Sequence, residues 1–129
     1  MANVPVEFSI NVPGEVTGDT WKGVFKSKPR LSHRDTLLQD QFRRDLLGPK
    51  AEAAGQAATA NSLIFSKIWV HLTEAPSWWK DAGNGVDLLD EAPVVAIYDN
   101  IVRIEKEAIE KVKKDAEKAA EDLKADEKK

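Results

Sequence analysis

Val4-Pro5-Val6-Glu7-Phe8-Ser9-Ile10-Asn11-Val12 places an apolar side chain at every second residue. A period of two puts those side chains on one face of a β-strand, expected over 3–12. Pro13-Gly14 closes it as a turn signal. After the polar loop Thr17-Gly18-Asp19-Thr20, a second strand is expected over 21–28, with Trp21 and Phe25 on one face and Val24 on the other among lysines. Together they read as a β-hairpin with a long loop. Pro5 has no amide hydrogen for a ladder, so the first strand is expected at an edge. A lone hairpin is marginal in water and needs helices, a further strand or a partner to cover it.

The other end of the chain reads in the opposite way. Of residues 103–129, 18 of 27 are charged, nine of each sign, with no Gly or Pro. A helix is expected from about 91 to 125, with Asp90 as its cap and Leu89 and Val94 offset for a hydrophobic staple. Its apolar face starts with Val94, Ile97, Tyr98, Ile101 and Ile104, and continues through Ala108, Ile109 and Val112. Beyond Val112 only Ala and Leu123 remain, so a sustained a/d heptad is absent there and a strong coiled coil is not supported. At 1.5 Å per residue the helix is about 50 Å long, more than a small domain covers. Glu107–Lys111 and Glu110–Lys114 support it at i,i+4, and Glu117–Glu121 opposes it.

Between these ends lie two more helices. Ser32 and Asp35 form a short capping box, and Gly48-Pro49 stops a helix that presents Leu38, Phe42 and Leu46 on one face. A second helix is expected over 57–74, with Ile64, Phe65, Ile68, Trp69 and Leu72 as its buried stripe and Pro76 as its stop. Residues 50–60 read as a linker or loose turn, and 76–89 as a connection. The fold class that follows is α+β, mainly α: an N-terminal β-hairpin packed on about three helices, with a long charged C-terminal helix. Residues 1–102 are expected to form the compact domain and 103–129 a helical extension.

Composition narrows the chemistry. With no Cys among 129 residues, disulfides, thiolate metal sites and thiol nucleophiles are excluded. His33 and His71 lack the partners that a zinc site or a His-based triad requires. The run from Asp81 resembles a calcium loop only in its acids: position six is Val86 and position twelve is Ala92, so Gly83-Asn84-Gly85 reads as a turn. There is no phosphate-binding Gly-rich loop and no run long enough to span a membrane, and no signal peptide is expected from MANVPVEFSI, which has neither a basic n-region nor a long apolar run. The reading is of a non-enzyme with no metal and no cofactor.

Charge and aromatics point instead to partners. Residues 1–21 carry −3, residues 22–50 carry +5, residues 51–102 carry −5 and the tail is neutral. Faces of opposite sign can orient a partner or drive self-association. Arg43 and Arg44 belong to the basic stretch; interleaved Asp35, Asp40 and Asp45 favour an acidic protein partner or a solvated face over nucleic acid. Trp78 and Trp79 are adjacent indoles, one expected to cap the core and the other to anchor a partner. Ile109 and Val112 are the last large apolar residues before the charged run. Trp78, Trp79, Arg43, Arg44, Ile109 and Val112 are therefore the candidate partner-binding residues.

The order of these signals resembles the tail assembly chaperones of tailed bacteriophages. The resemblance rests on the hairpin phrase of residues 12–26, Leu31-Ser32-His33-Arg34, Arg43-Arg44-Asp45-Leu46-Leu47-Gly48, and Glu74-Ala75-Pro76-Ser77-Trp78-Trp79 with its Gly-Asn-Gly turn. Ala96-Ile97-Tyr98-Asp99 and the charged helical end complete it. It implies a non-enzymatic factor in the host cytoplasm that binds the tape-measure protein, keeps it soluble, assists tail-tube assembly and leaves before the virion is complete. It also implies a longer, frameshifted form in many members; Lys128-Lys129 is compatible with the A-rich codons this needs, but so is Lys113-Lys114. Two other functions stay open at this point: a small nucleic-acid-binding or packaging accessory protein, and a structural virion component.

Overall fold

The computed structural model describes residues 4–127; Asn3 at the start of the expected first strand and Lys128-Lys129 lie outside them. The hairpin is present as β1 (Val6–Pro13) and β2 (Thr20–Ser27), paired antiparallel with Phe8 opposite Phe25 and Val12 opposite Trp21. Alternation decides the faces: Phe8, Ile10 and Phe25 are buried, while Val24 stays exposed. A third strand, β3 (Leu72–Glu74), adds antiparallel to β2, so the order is β1-β2-β3 and β1 is an edge, as expected, although Pro5 itself lies just before the strand.

Helix α1 (His33–Leu47) begins at a complete capping box, with the Asp35 amide donating to Ser32 Oγ (3.1 Å) and the Ser32 amide to Asp35 (3.0 Å). It ends at Gly48, whose φ of 80° suits a residue without a Cβ. A single 3-10 turn at Ala51–Ala53 links it to α2 (Gln56–His71). The sequence places the end of this helix at 74 and the last residue of its apolar stripe at Leu72. Instead the helix stops at His71 and the chain continues extended as β3, because the sheet edge of β2 offers Leu72–Glu74 ladder bonds.

The 76–89 connection contains a short helix, α3 (Ser77–Asp81). The turn after it holds Gly83, Asn84 and Gly85 at positive φ, and a Cβ on Gly85 would strike the Trp79 ring. Helix α4 (Ala92–Glu127) then crosses the sheet. Ile97, Ile101 and Ile104 meet Phe8, Ile10 and Phe25, and Ile68 and Trp79 close the sides of the same core. The chain is thus mainly α plus β, with a long C-terminal helix.

Asp90 does not cap α4. Its carboxylate is buried and turned toward the β1–β2 loop, where it accepts from the Val16 amide (2.7 Å), the Thr17 amide (3.0 Å), Thr17 Oγ1 (2.5 Å) and Trp21 Nε1 (2.7 Å). Burial opposes the charge, yet these donors prevail and hold the carboxyl down at about 2. The free amides at the start of α4 are taken by Glu15, which accepts from Glu91 and Ala92. Leu89 is largely exposed, so the expected staple is absent.

Candidate functional site

The candidate surface is the far half of α4. Ile104 is the last buried side chain of that helix among the described residues, and from Ile109 through Ala125 every position is exposed. At 1.5 Å per residue that stretch extends about 25 Å beyond the core. Ile109 is 56% and Val112 is 43% exposed, with Leu123 further out on the same side. Isolated helices of this length are marginal in water. Arg103 supports the near end by reaching Glu107 (3.3 Å) and Asn100 (3.0 Å).

The root of the helix is fixed more firmly. Glu105 accepts from Lys67 Nζ at 2.9 Å, and its other oxygen lies 3.2 Å from Nε2 of the fully buried His71, without hydrogen-bond geometry. The other ring nitrogen, Nδ1, is 2.8 Å from the Lys28 carbonyl. Burial pushes the imidazole below its usual pKa, against the Lys28 carbonyl and the Glu105 carboxylate, which pull it up. Here α2, α4 and the end of β2 meet.

The other candidate residues fall elsewhere. Trp79 is 1% exposed and stands edge-on to Phe25, which removes it from any surface a partner can touch. Because 77–81 is helical, the two indoles are separated by a helical step rather than pointing to opposite faces of an extended segment. Trp78 is half-buried, lies tilted against Trp21 (5.0 Å between centroids, 48° between planes) and donates Nε1 to the Lys22 carbonyl (3.0 Å). Arg43 and Arg44 both bind Asp40, at 3.0 and 2.9 Å. Lys28 binds Asp35 at 2.9 Å and Lys26 approaches Glu74 at 3.7 Å. Much of the basic stretch is therefore neutralised within the fold. The structure does not bring the tryptophans, the arginines and the α4 stripe into one patch.

Helix α1 has no buried residue and rests on α2 through stacked Phe42 and Trp69, 4.6 Å apart. A groove of about 430 Å³ lies between α2 and the start of α4, lined by Ile64, Phe65, Leu88 and Val94. It contains no constellation of acid, base and nucleophile. Among the described residues, no three His, Asp or Glu converge to hold a metal, and no helix is long and apolar enough to cross a membrane.

No family model, curated protein or solved structure matches the chain. The site is therefore read from its own geometry. Neither Glu15 nor the donors to Asp90 were legible in the sequence, since each pair is separated by 69 to 77 residues along the chain.

Proposed function

We propose that this chain is a non-enzymatic assembly chaperone of a tailed bacteriophage, acting in the host cytoplasm, which holds the tape-measure protein and assists tail-tube assembly. The observation that carries the reading is the projecting half of α4, with Ile109 and Val112 exposed on a helix anchored at its other end by a small core. A long helical client needs its apolar strips covered until the tube forms around it. An amphipathic helix covers such strips through i, i+3, i+4 contacts and releases them reversibly. The edge strand β1 adds a second means of contact, since its free ladder can extend a tube subunit's sheet.

The nucleic-acid reading has less support, because Lys26, Lys28, Arg43 and Arg44 are already paired with carboxylates. Co-expression with the phage's long helical tape-measure protein tests the proposal. Deletion should begin at Ile109 rather than at 103, since Ile104 belongs to the core. The truncated chain is expected to leave the tape-measure protein insoluble while the full chain keeps it in solution. Equal solubility with both would overturn the reading.

A further inference from the structure

The groove between α2 and the start of α4 is apolar where it is deepest and opens to solvent. Helix α2 contributes Ile64 and Phe65, α4 contributes Val94 and Val95, and the preceding loop contributes Leu88 and Leu89. Leu89 is 74% and Val95 is 46% exposed, so large apolar side chains stand uncovered at its rim. Its volume of about 430 Å³ is that of an ordinary binding pocket. A second groove, of about 490 Å³, lies on the β1 side of α4 and is lined by Val12, Glu15, Ala96 and Asp99. Glu91 and Val95 border both grooves.

The charge around this pair of grooves has one sign. Glu15, Glu91 and Asp99 line them, and no Lys or Arg does. None of the three carboxylates is in an ion pair among the described residues. Glu15 keeps its charge, because its own backbone amide and those of Glu91 and Ala92 hold its carboxyl below the usual carboxylate range. Asp90 lies beneath, but its oxygens are spent on the β1–β2 loop and Trp21.

We propose that the two grooves together dock a short basic amphipathic helix of a protein partner. Its apolar side chains enter between α2 and α4, and its Lys or Arg side chains meet Glu15, Glu91 and Asp99. A small apolar ligand seated in the first groove leaves the carboxylates across Val95 untouched, whereas a helix laid over Val95 engages both sides. Apolar anchors in a groove between helices supply the affinity. The carboxylates select a cationic segment and repel an acidic one. Val95 lies 14 residues before Ile109, about 21 Å along the helix, so this site is separate from the projecting half of α4. It does not rest on the chaperone reading.

Titration of the full chain with a fluorescent synthetic Leu/Lys peptide, about five helical turns long and with Leu on one face, tests it. One control peptide has Glu for every Lys, and another has the same Leu and Lys shuffled so that no apolar face forms. Saturable one-to-one binding of the first peptide is expected, with both controls about tenfold weaker or worse. Glu91→Lys/Asp99→Lys should weaken it about tenfold, while Glu110→Lys/Glu117→Lys, the same charge change on the projecting half, should stay within about twofold. Leu89→Ser should weaken it by a similar factor and Ile109→Ser should not. All six side chains are exposed, so each variant is expected to melt with the parent. Absence of saturable binding, equal binding of the Glu peptide, or equal loss from the two charge reversals would overturn the proposal. So would a loss with Ile109→Ser that Leu89→Ser does not produce.

Discussion

Asp90 sits beneath the β1–β2 loop with four donors on one carboxylate, and Gly14 passes so close that a Cβ there would land on it. Its folded pKa of about 2 lies below the ordinary value of 3.8. A depressed carboxyl contributes stability that is complete above the unfolded value and lost as pH falls through the folded one. Thermal melts should therefore show a loss between about pH 4 and 2 that Asp90→Asn flattens, with Asp90→Asn less stable than the parent at neutral pH. His71 is neutral rather than anionic when deprotonated, but the sign of linkage is the same. Its lowered pKa favours the neutral ring in the fold, so melting is expected to decline as pH falls below 6.5, and His71→Gln should remove that decline. At the two tryptophans the difference is one of burial. Trp79→Ala should cost about 3–5 kcal/mol in denaturant unfolding, and Trp78→Ala distinctly less. Sequence singled out the pair but could not rank it, because rank depends on which indole the turn at Gly85 admits to the core.

Local signals located most elements to within a few residues. The hairpin follows from alternation and a Pro-Gly turn, and α1 from a capping box and a Gly-Pro stop; each is written in neighbouring residues. Two elements were not legible. Strand β3 is three residues long and continues the apolar spacing of α2, so only the free edge of β2 marks it as a strand. Helix α3 is five residues long and has no periodicity to read. Burial was less legible still. The best-delimited helix, α1, buries no residue, since caps fix where a helix starts and not what it packs on. Within α4 the two halves differ in kind. Ile101→Ala, inside the core, should destabilise by about 2–5 kcal/mol. Ile109→Ala, about five turns from the N-terminal end and outside the core, should stay within about 0.5 kcal/mol.

At the scale of the molecule, a modest core supports a helix longer than itself. Phe8, Ile10, Phe25, Ile68, Trp79 and the α4 isoleucines make one cluster, and Glu105, Lys67 and His71 fasten α4 where it leaves that cluster. Beyond that point the helix adds nothing to the core. Removal of residues 109–129 should therefore leave the melting temperature of the remainder close to that of the full chain, as followed by tryptophan fluorescence. Arg43 and Arg44, in contrast, are tied to Asp40 within the fold, and Arg43→Ala/Arg44→Ala should leave client capture intact.

Amide hydrogen exchange along α4, compared in the isolated chain at low concentration and in the presence of the helical client, tests the working-surface assignment most directly. The account predicts fast exchange over 109–123 in the free chain and strong added protection there in the complex, with Trp78 and Arg43 segments unchanged. Protection that appears at those segments and not on α4 would contradict it.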